Sequence, residues 1–466
     1  MRPRSFALAT LLVVLAGVVI VGAVFVVTRD AGELPIGEGS DADQRPEDAA
    51  TSEESAETPP DDLEQAGPAR SEESASAEAP GLEDPSEEEP EEPGQPAVPE
   101  RILPPGPPSD ERTLEHVTTI FGSISPKSVV ASHTGVFFAQ NMMYLHTITV
   151  YNRDHELLAT INDTVNLTDF GYDGPDADLR GAPVEMAFSP DGTYAYVSNY
   201  KMYGPGFDRD GTDTCSPADN YDDSFLYRVD VETLEIDQVI EVGAVPKYVA
   251  ATPDGRYVLV SNWCSYDVSI IDVEAARELG RVPLSRYPRG IAITGDASTA
   301  YVALMGTFDI AVLDLTAIDD ADHLDVTDDR GWPHAQDPPE LDELHLDTLA
   351  GVGRSPRHLV LDPDERYLYA TLNGEGVVVR LDLETGEEVR VATGSAPRSM
   401  DISADGKALY VVNYNSDTVS KVRTEDMSVM QTIDVDDRPI GITYDKATAE
   451  VWVAHYSGSI RVLQDR

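Results

Sequence analysis

The stretch Pro246-Lys247-Tyr248-Val249-Ala250-Ala251-Thr252-Pro253-Asp254-Gly255-Arg256-Tyr257-Val258-Leu259-Val260-Ser261-Asn262 decides the fold. It holds two β-rich runs joined by a Pro-Asp-Gly turn, a strong hairpin signal. A third run, Val268 to Val273, follows at once. A second copy starts at Pro397-Arg398, turns at Asp405-Gly406 and reaches Asn413. It continues through Thr418 to Val422 and Met430 to Val435. Four short strands in about forty residues is the size of one propeller blade.

The copies are marked by Pro126, Pro183, Pro246, Pro288, Pro356, Pro397 and Pro439, spaced by 57, 63, 42, 68, 41 and 42 residues. The unit is therefore 41–42 residues long, with three insertions. The last copy ends one strand short, and His116 to Phe121 resembles the missing outer strand. Pairing the two termini in one blade closes the ring and leaves no open seam. The expected fold is an all-β, seven-bladed β-propeller over residues 111–466.

Tyr196-Val197-Ser198-Asn199, Tyr410-Val411-Val412-Asn413 and the Pro-Asp-Gly turns carry a family resemblance. With them the chain resembles the YVTN-repeat, YncE-like propellers and is distantly similar to the lactonase propellers. The first resemblance implies the fold. The second leaves open a hydrolase acting in the propeller channel.

Residues 1–29 hold an uncharged apolar run from Ser5 to Thr28, behind Arg2 and Arg4. About twenty such residues span a bilayer, and the flanking charge places the N-terminal side in the cytoplasm. The expectation is a single-pass signal-anchor with the propeller on the extracytoplasmic side. A cleaved signal peptide is the competing reading, though its apolar core is usually shorter. Residues 30–110 are expected to be a disordered linker, because a tract rich in Pro and Glu cannot bury enough apolar surface to offset its ordering entropy.

The chain carries 85 acidic and 33 basic residues, a formal charge of -52. Such a surface repels phosphate backbones, which argues against nucleic-acid binding and for a soluble monomer. Its two cysteines, Cys215 and Cys264, are too few for a cysteine zinc site. Both fall in loops expected on one face of adjacent blades. In an oxidising compartment that favours a disulfide over two free thiols.

Long loops on a rigid scaffold usually carry function. The insertions are read as Asn162–Arg180 between blades one and two, Lys201–Asp223 inside blade two, and Ala317–Val352 between blades four and five. That placement puts all three on one mouth of the channel. Lys127, Lys247, Arg289, Arg357 and Arg398 follow the blade prolines and are expected to form a basic ring there, broken by Val184 and Ile440. Arg in particular matches carboxylate or phosphate, so the ring is a candidate anion site. Pairing with nearby acids, or mere repeat consensus, is the competing reading.

Asp208, Asp210 and Asp213 surround Gly211 with oxygen ligands of the kind calcium takes. The spacing is not that of an EF-hand, and a solvated turn is the plainer reading. No other cofactor is expected. His133, His358 and His455 are conceivable bases for hydrolysis, but no nucleophile elbow or His-Glu-x-x-His motif accompanies them. Catalytic residues therefore stay unassigned. The leading expectation is a ligand-binding or protein-interaction module at the cell surface. Its partner would be a small anionic ligand, a cell-wall component or a protein. The lactonase-like hydrolase is the alternative.

Overall fold

Each Asp-Gly hairpin builds itself in the same way. Gly255 donates its N–H to the Thr252 carbonyl at 2.9 Å, while the Asp254 carboxylate accepts from the Thr252 hydroxyl and the Arg256 N–H. Ser189-Pro190-Asp191-Gly192 and Ser403-Ala404-Asp405-Gly406 repeat these bonds. The turn needs a left-handed residue, and Gly255 takes φ +73° there. Blades four and five place Ala297 and Glu365 at that position, also with positive φ.

The computed structural model describes residues 106–132, 134–142, 145–173, 176–201, 214–318 and 338–466. The apolar N-terminal segment, nearly all of the stalk, His133, and Asp208, Asp210 and Asp213 lie outside them. Among the described residues no helix is long and apolar enough to cross a membrane.

Seven four-stranded antiparallel sheets form the ring. Their inner strands are Ser128–Ala131, Ala182–Phe188, Pro246–Ala251, Pro288–Ile293, Pro356–Leu361, Pro397–Ile402 and Pro439–Asp445. Each inner strand touches those of both neighbours, and the seventh touches the first. Blade seven takes Leu114–Phe121 as its outer strand, paired antiparallel with Ser459–Asp465. The terminal closure expected from the repeat is thus observed. Between blades the core is apolar. Phe137 of blade one stacks on Trp452 of blade seven at 3.9 Å, and both are fully buried.

Strands alternate in direction, so a blade has two loop faces. The proline face holds the start of each inner strand and the loop between second and third strands. The turn face holds the Asp-Gly hairpins and the loop between third and fourth strands. The first two insertions lie on the proline face, as expected. The third does not. Its outer strand, His345–Leu349, comes after the insertion and pairs with Asp309–Asp314. The extra residues therefore join the third and fourth strands of blade four, on the turn face. Three insertions on one mouth is corrected to two. The end of this insertion runs along the outer strand of blade three, where Arg281 and Pro339 to Leu341 exchange backbone hydrogen bonds. Ile318, Leu341 and Leu344 sink into the core shared by blades three and four. That burial explains why the strand is reached so late.

Candidate functional site

Both cysteines sit on the proline face, and they are bonded: Cys215–Cys264 is a disulfide with its Cα atoms 5.3 Å apart. The bond ties the second insertion to the loop after Asn262. Tyr266 adds a hydrogen bond from its hydroxyl to the Cys215 carbonyl at 2.9 Å. Around the disulfide pack Tyr200, Trp263, Tyr287, Met142 and Met305, with Tyr221 at the margin.

The structure brings the five cations together as a ring at this end of the channel. All are buried, with exposures of 2–7%. The partners that bury them repeat as regularly as the cations do. Lys127 lies over Tyr456 at 5.6 Å, Lys247 over Tyr200 at 4.7 Å, and Arg289 over Trp263 at 5.9 Å. In each case the cation of one blade covers the aromatic at the end of, or one residue past, the second strand of the preceding blade. Arg357 meets the Met305 sulfur at that position, and its Nε donates to the Arg398 carbonyl at 3.1 Å. Arg398 instead stacks on Tyr414 of its own blade at 3.5 Å. A cation over an aromatic face gains electrostatic attraction and keeps its N–H donors. The signal for these partners was present in the Asn-Tyr, Asn-Trp and His-Tyr pairs at 199–200, 262–263, 413–414 and 455–456.

Below the ring lies a cavity of about 170 Å³. It is walled by side chains two and four residues beyond the blade prolines, chiefly Glu185, Tyr248, His358, Ser399, Asp401 and Thr443. These residues share the channel because alternate positions of a strand point the same way. Gly290 and Gly441 fill the equivalent position in blades four and seven. A Cβ at Gly290 would lie 2.7 Å from the Arg357 carbonyl, and one at Gly441 would lie 2.7 Å from the Ser128 Cα. Glycine there lets neighbouring inner strands close up and narrows the channel.

The electrostatics are mixed. Burial pushes the Glu185 carboxyl up, and Lys127, Arg289 and Arg357 pull it partly back. Burial, with Arg357 and Arg289, lowers His358 to about 3. His358 is therefore neutral at physiological pH. It packs edge-on against Tyr248 at 5.3 Å and reaches Ser399 at 3.5 Å. Burial also raises Asp401, against the N–H groups of Tyr444 and Ile402.

The other candidate bases and metal ligands are not brought to this cavity. His455 occupies the Asn position at the end of its strand, fully buried and lowered to about 4, chiefly by that burial. His133 and the three aspartates fall outside the described residues. Among the described residues no group of three His, Cys, Asp or Glu side chains could hold a metal ion.

A family profile, Lactonase, 7-bladed beta-propeller, matches residues 353–462, which is less than half of the chain. The β subunit of hydrazine synthase from Kuenenia stuttgartiensis is 32% identical over 106 residues, covering 17% of this chain and 28% of that one. The chain thus matches less than a third of the length of that relative. A solved structure of Kuenenia stuttgartiensis hydrazine synthase superposes with a TM-score of 0.55 at 16% identity, over 74% of this chain and 97% of that one. At that identity the likeness speaks for the fold alone. Together the comparisons and the seven closed blades make this chain a seven-bladed β-propeller, similar to the lactonase propeller profile over residues 353–462.

Proposed function

We propose that the chain is a membrane-tethered, extracytoplasmic binding module of the YVTN type, and that its axial channel takes a small ligand through a carboxylate or phosphate group. The observation that carries this reading is the ring of five buried cations directly above a small polar cavity, in a chain of net charge -52. The cavity measures about 170 Å³. It therefore suits a small acid, or one acidic group of a larger ligand. The first docked residues upstream of the blades, Ser109 and Arg112, sit on the turn face beside Asp405 and Lys421. A tether before them leaves the proline face open.

The hydrolase reading has the lactonase profile behind it. It also has His358 beside Ser399. Two facts weigh against it. A histidine at about 3 is a poor general base near neutrality, where the effective pKa lies near the working pH. No metal-binding group accompanies it among the described residues.

The test is calorimetric titration of the full chain in detergent with acetate, butyrate and inorganic phosphate. Binding is expected in the wild type. A variant with Lys247→Met, Arg289→Met and Arg357→Met keeps the apolar stems and removes three charges. It should lose that binding by at least about tenfold, since truncating one partner of a buried charge pair costs 2 kcal/mol or more. Unchanged affinity in the variant would sink the anion reading. Turnover of simple lactones by the wild type, lost in His358→Asn, would support the hydrolase instead.

A further inference from the structure

Away from the channel, between blades six and seven, the fold presses a primary amine against a carboxyl group. Lys421 lies on the strand Thr418–Arg423 and Asp465 on the strand Ser459–Asp465. Both side chains are fully buried, and Lys421 Nζ meets Asp465 Oδ1 at 2.5 Å. A carboxyl C–O bond is about 1.2 Å long, so the nitrogen lies within about 3.7 Å of the carboxyl carbon. Oriented reactants about 3–3.5 Å apart gain a large effective concentration. Nζ has two further contacts, the carbonyls of Ser109 at 2.6 Å and Arg112 at 3.0 Å. Carbonyls only accept hydrogen. As a free amine, Lys421 therefore spends its two hydrogens on them and turns its lone pair to Asp465. Burial lowers the Lys421 amine, against the pull of Asp465, and so favours that free form. Tyr410 donates its hydroxyl to the other carboxyl oxygen, Oδ2, at 2.7 Å. Burial, with Asp465 beside it, pushes that phenol well above its usual range, so it stays a donor. The Tyr410 ring, 5.7 Å from Nζ and stacked on Tyr444 at 5.3 Å, walls the site with apolar surface.

We infer that Lys421 and Asp465 condense to an isopeptide bond, with Tyr410 polarising the carboxyl group. A Lys421 proton passes to the Asp465 carboxylate, and Nζ adds to the carboxyl carbon. The N–C bond forms, the C–Oδ1 bond breaks, and Oδ1 leaves as water with two hydrogens from the nitrogen. No oxidant or other reactant is consumed. The product is a neutral amide, so the site no longer holds two charges away from water, which is a costly arrangement. The bond ties blade six to the strand that closes the ring by pairing with Leu114–Phe121. It does not depend on the anion reading of the channel.

The test is mass spectrometry of the full chain, folded for days at neutral pH and then reduced and denatured. The chain should be lighter than its amino-acid sequence by one water. Trypsin should release a branched peptide joining Ala408–Arg423 to Val462–Arg466, because an acylated Lys421 is not cut. Recovery of the separate linear peptides at full mass overturns the bond. So does a water loss confined to one linear peptide, which marks a succinimide. Lys421→Arg keeps the cation and should keep the full mass, and a water lost from that variant as well overturns the bond. In freshly synthesised chain, Tyr410→Phe should slow the condensation by about 100-fold or more, the effect of removing one donor aimed at developing charge. An unchanged rate overturns the role given to Tyr410. The peptide map of the wild-type chain decides the bond even where a variant fails to fold.

Discussion

Asp163, at the end of blade one, is fully buried and accepts from the Gly181 N–H at 3.2 Å and the Asn199 amide at 3.4 Å. Burial raises it to about 7, against those bonds and Arg180. His146 faces it with Nδ1 4.0 Å away, but burial lowers that imidazole and its Nδ1 already meets the Gly181 carbonyl at 2.6 Å. An unfolded aspartate releases its proton near 3.8. Between about pH 4 and 7 the folded chain therefore holds a proton that the unfolded chain has lost. Stability falls as pH rises through that window, by up to about 4 kcal/mol at 1.36 kcal/mol per unit. Asp163→Asn should raise the melting temperature at pH 8 and leave it nearly unchanged at pH 4. An equal shift at both values would mean that ionisation is not the cause. The same scale shows what single residues disclose. The five cations were legible because each holds one fixed place after a repeated proline. Glu185, Tyr248 and Asp401 were not, because the residue type at their fixed places in the repeat varies from blade to blade and only the shared channel makes them neighbours.

At the scale of the strand and loop, the seam between blades six and seven depends on one buried ion pair. Lys421 donates to the Asp465 carboxylate at 2.5 Å and to the carbonyls of Ser109 and Arg112. Tyr410 donates to the same carboxylate at 2.7 Å. Lys421→Met leaves a buried charge alone and should cost about 3–5 kcal/mol, read by urea unfolding. Adding Asp465→Leu should recover much of the loss, because an apolar replacement of the whole pair is often neutral. If the double variant is no better than the single, the carbonyl contacts of Lys421 carry the seam instead. The disulfide gives a second test. It joins residues 49 apart, and a loop of that length is worth about 4 kcal/mol by chain entropy. Cys215→Ala with Cys264→Ala should lower the unfolding free energy on that scale, whereas equal stability would leave the bond no constraining role. The strands themselves were legible from β-rich runs and Asp-Gly turns. The third insertion was misplaced because His345–Leu349 is one of the weakest strands in the chain by composition, with three of its five residues exposed. Only its pairing with Asp309–Asp314 reveals it.

At the scale of the whole molecule, a closed ring has no sheet edge to protect, so the acidic surface is not needed to block edge pairing. Its cost is self-repulsion, since acid outweighs base along the propeller as well as in the stalk. The visible surface pairs do little to offset it. Arg466 with Glu115 and Arg390 with Glu388 are substantially exposed, and exposed pairs are worth about 0–1 kcal/mol each. Salt therefore screens more repulsion than attraction. The Debye length falls from about 30 Å at 0.01 M to about 3 Å at 1 M, below the spacing of most surface charges. Buried contacts such as Lys421 with Asp465 are screened much less. The melting temperature should therefore rise steadily as sodium chloride is raised across that range. The rise should level off once the Debye length drops below the distance between neighbouring carboxylates. A steady fall instead would mean that attractive surface pairs outweigh the net charge, and that the acid is arranged in compensated pairs around the ring.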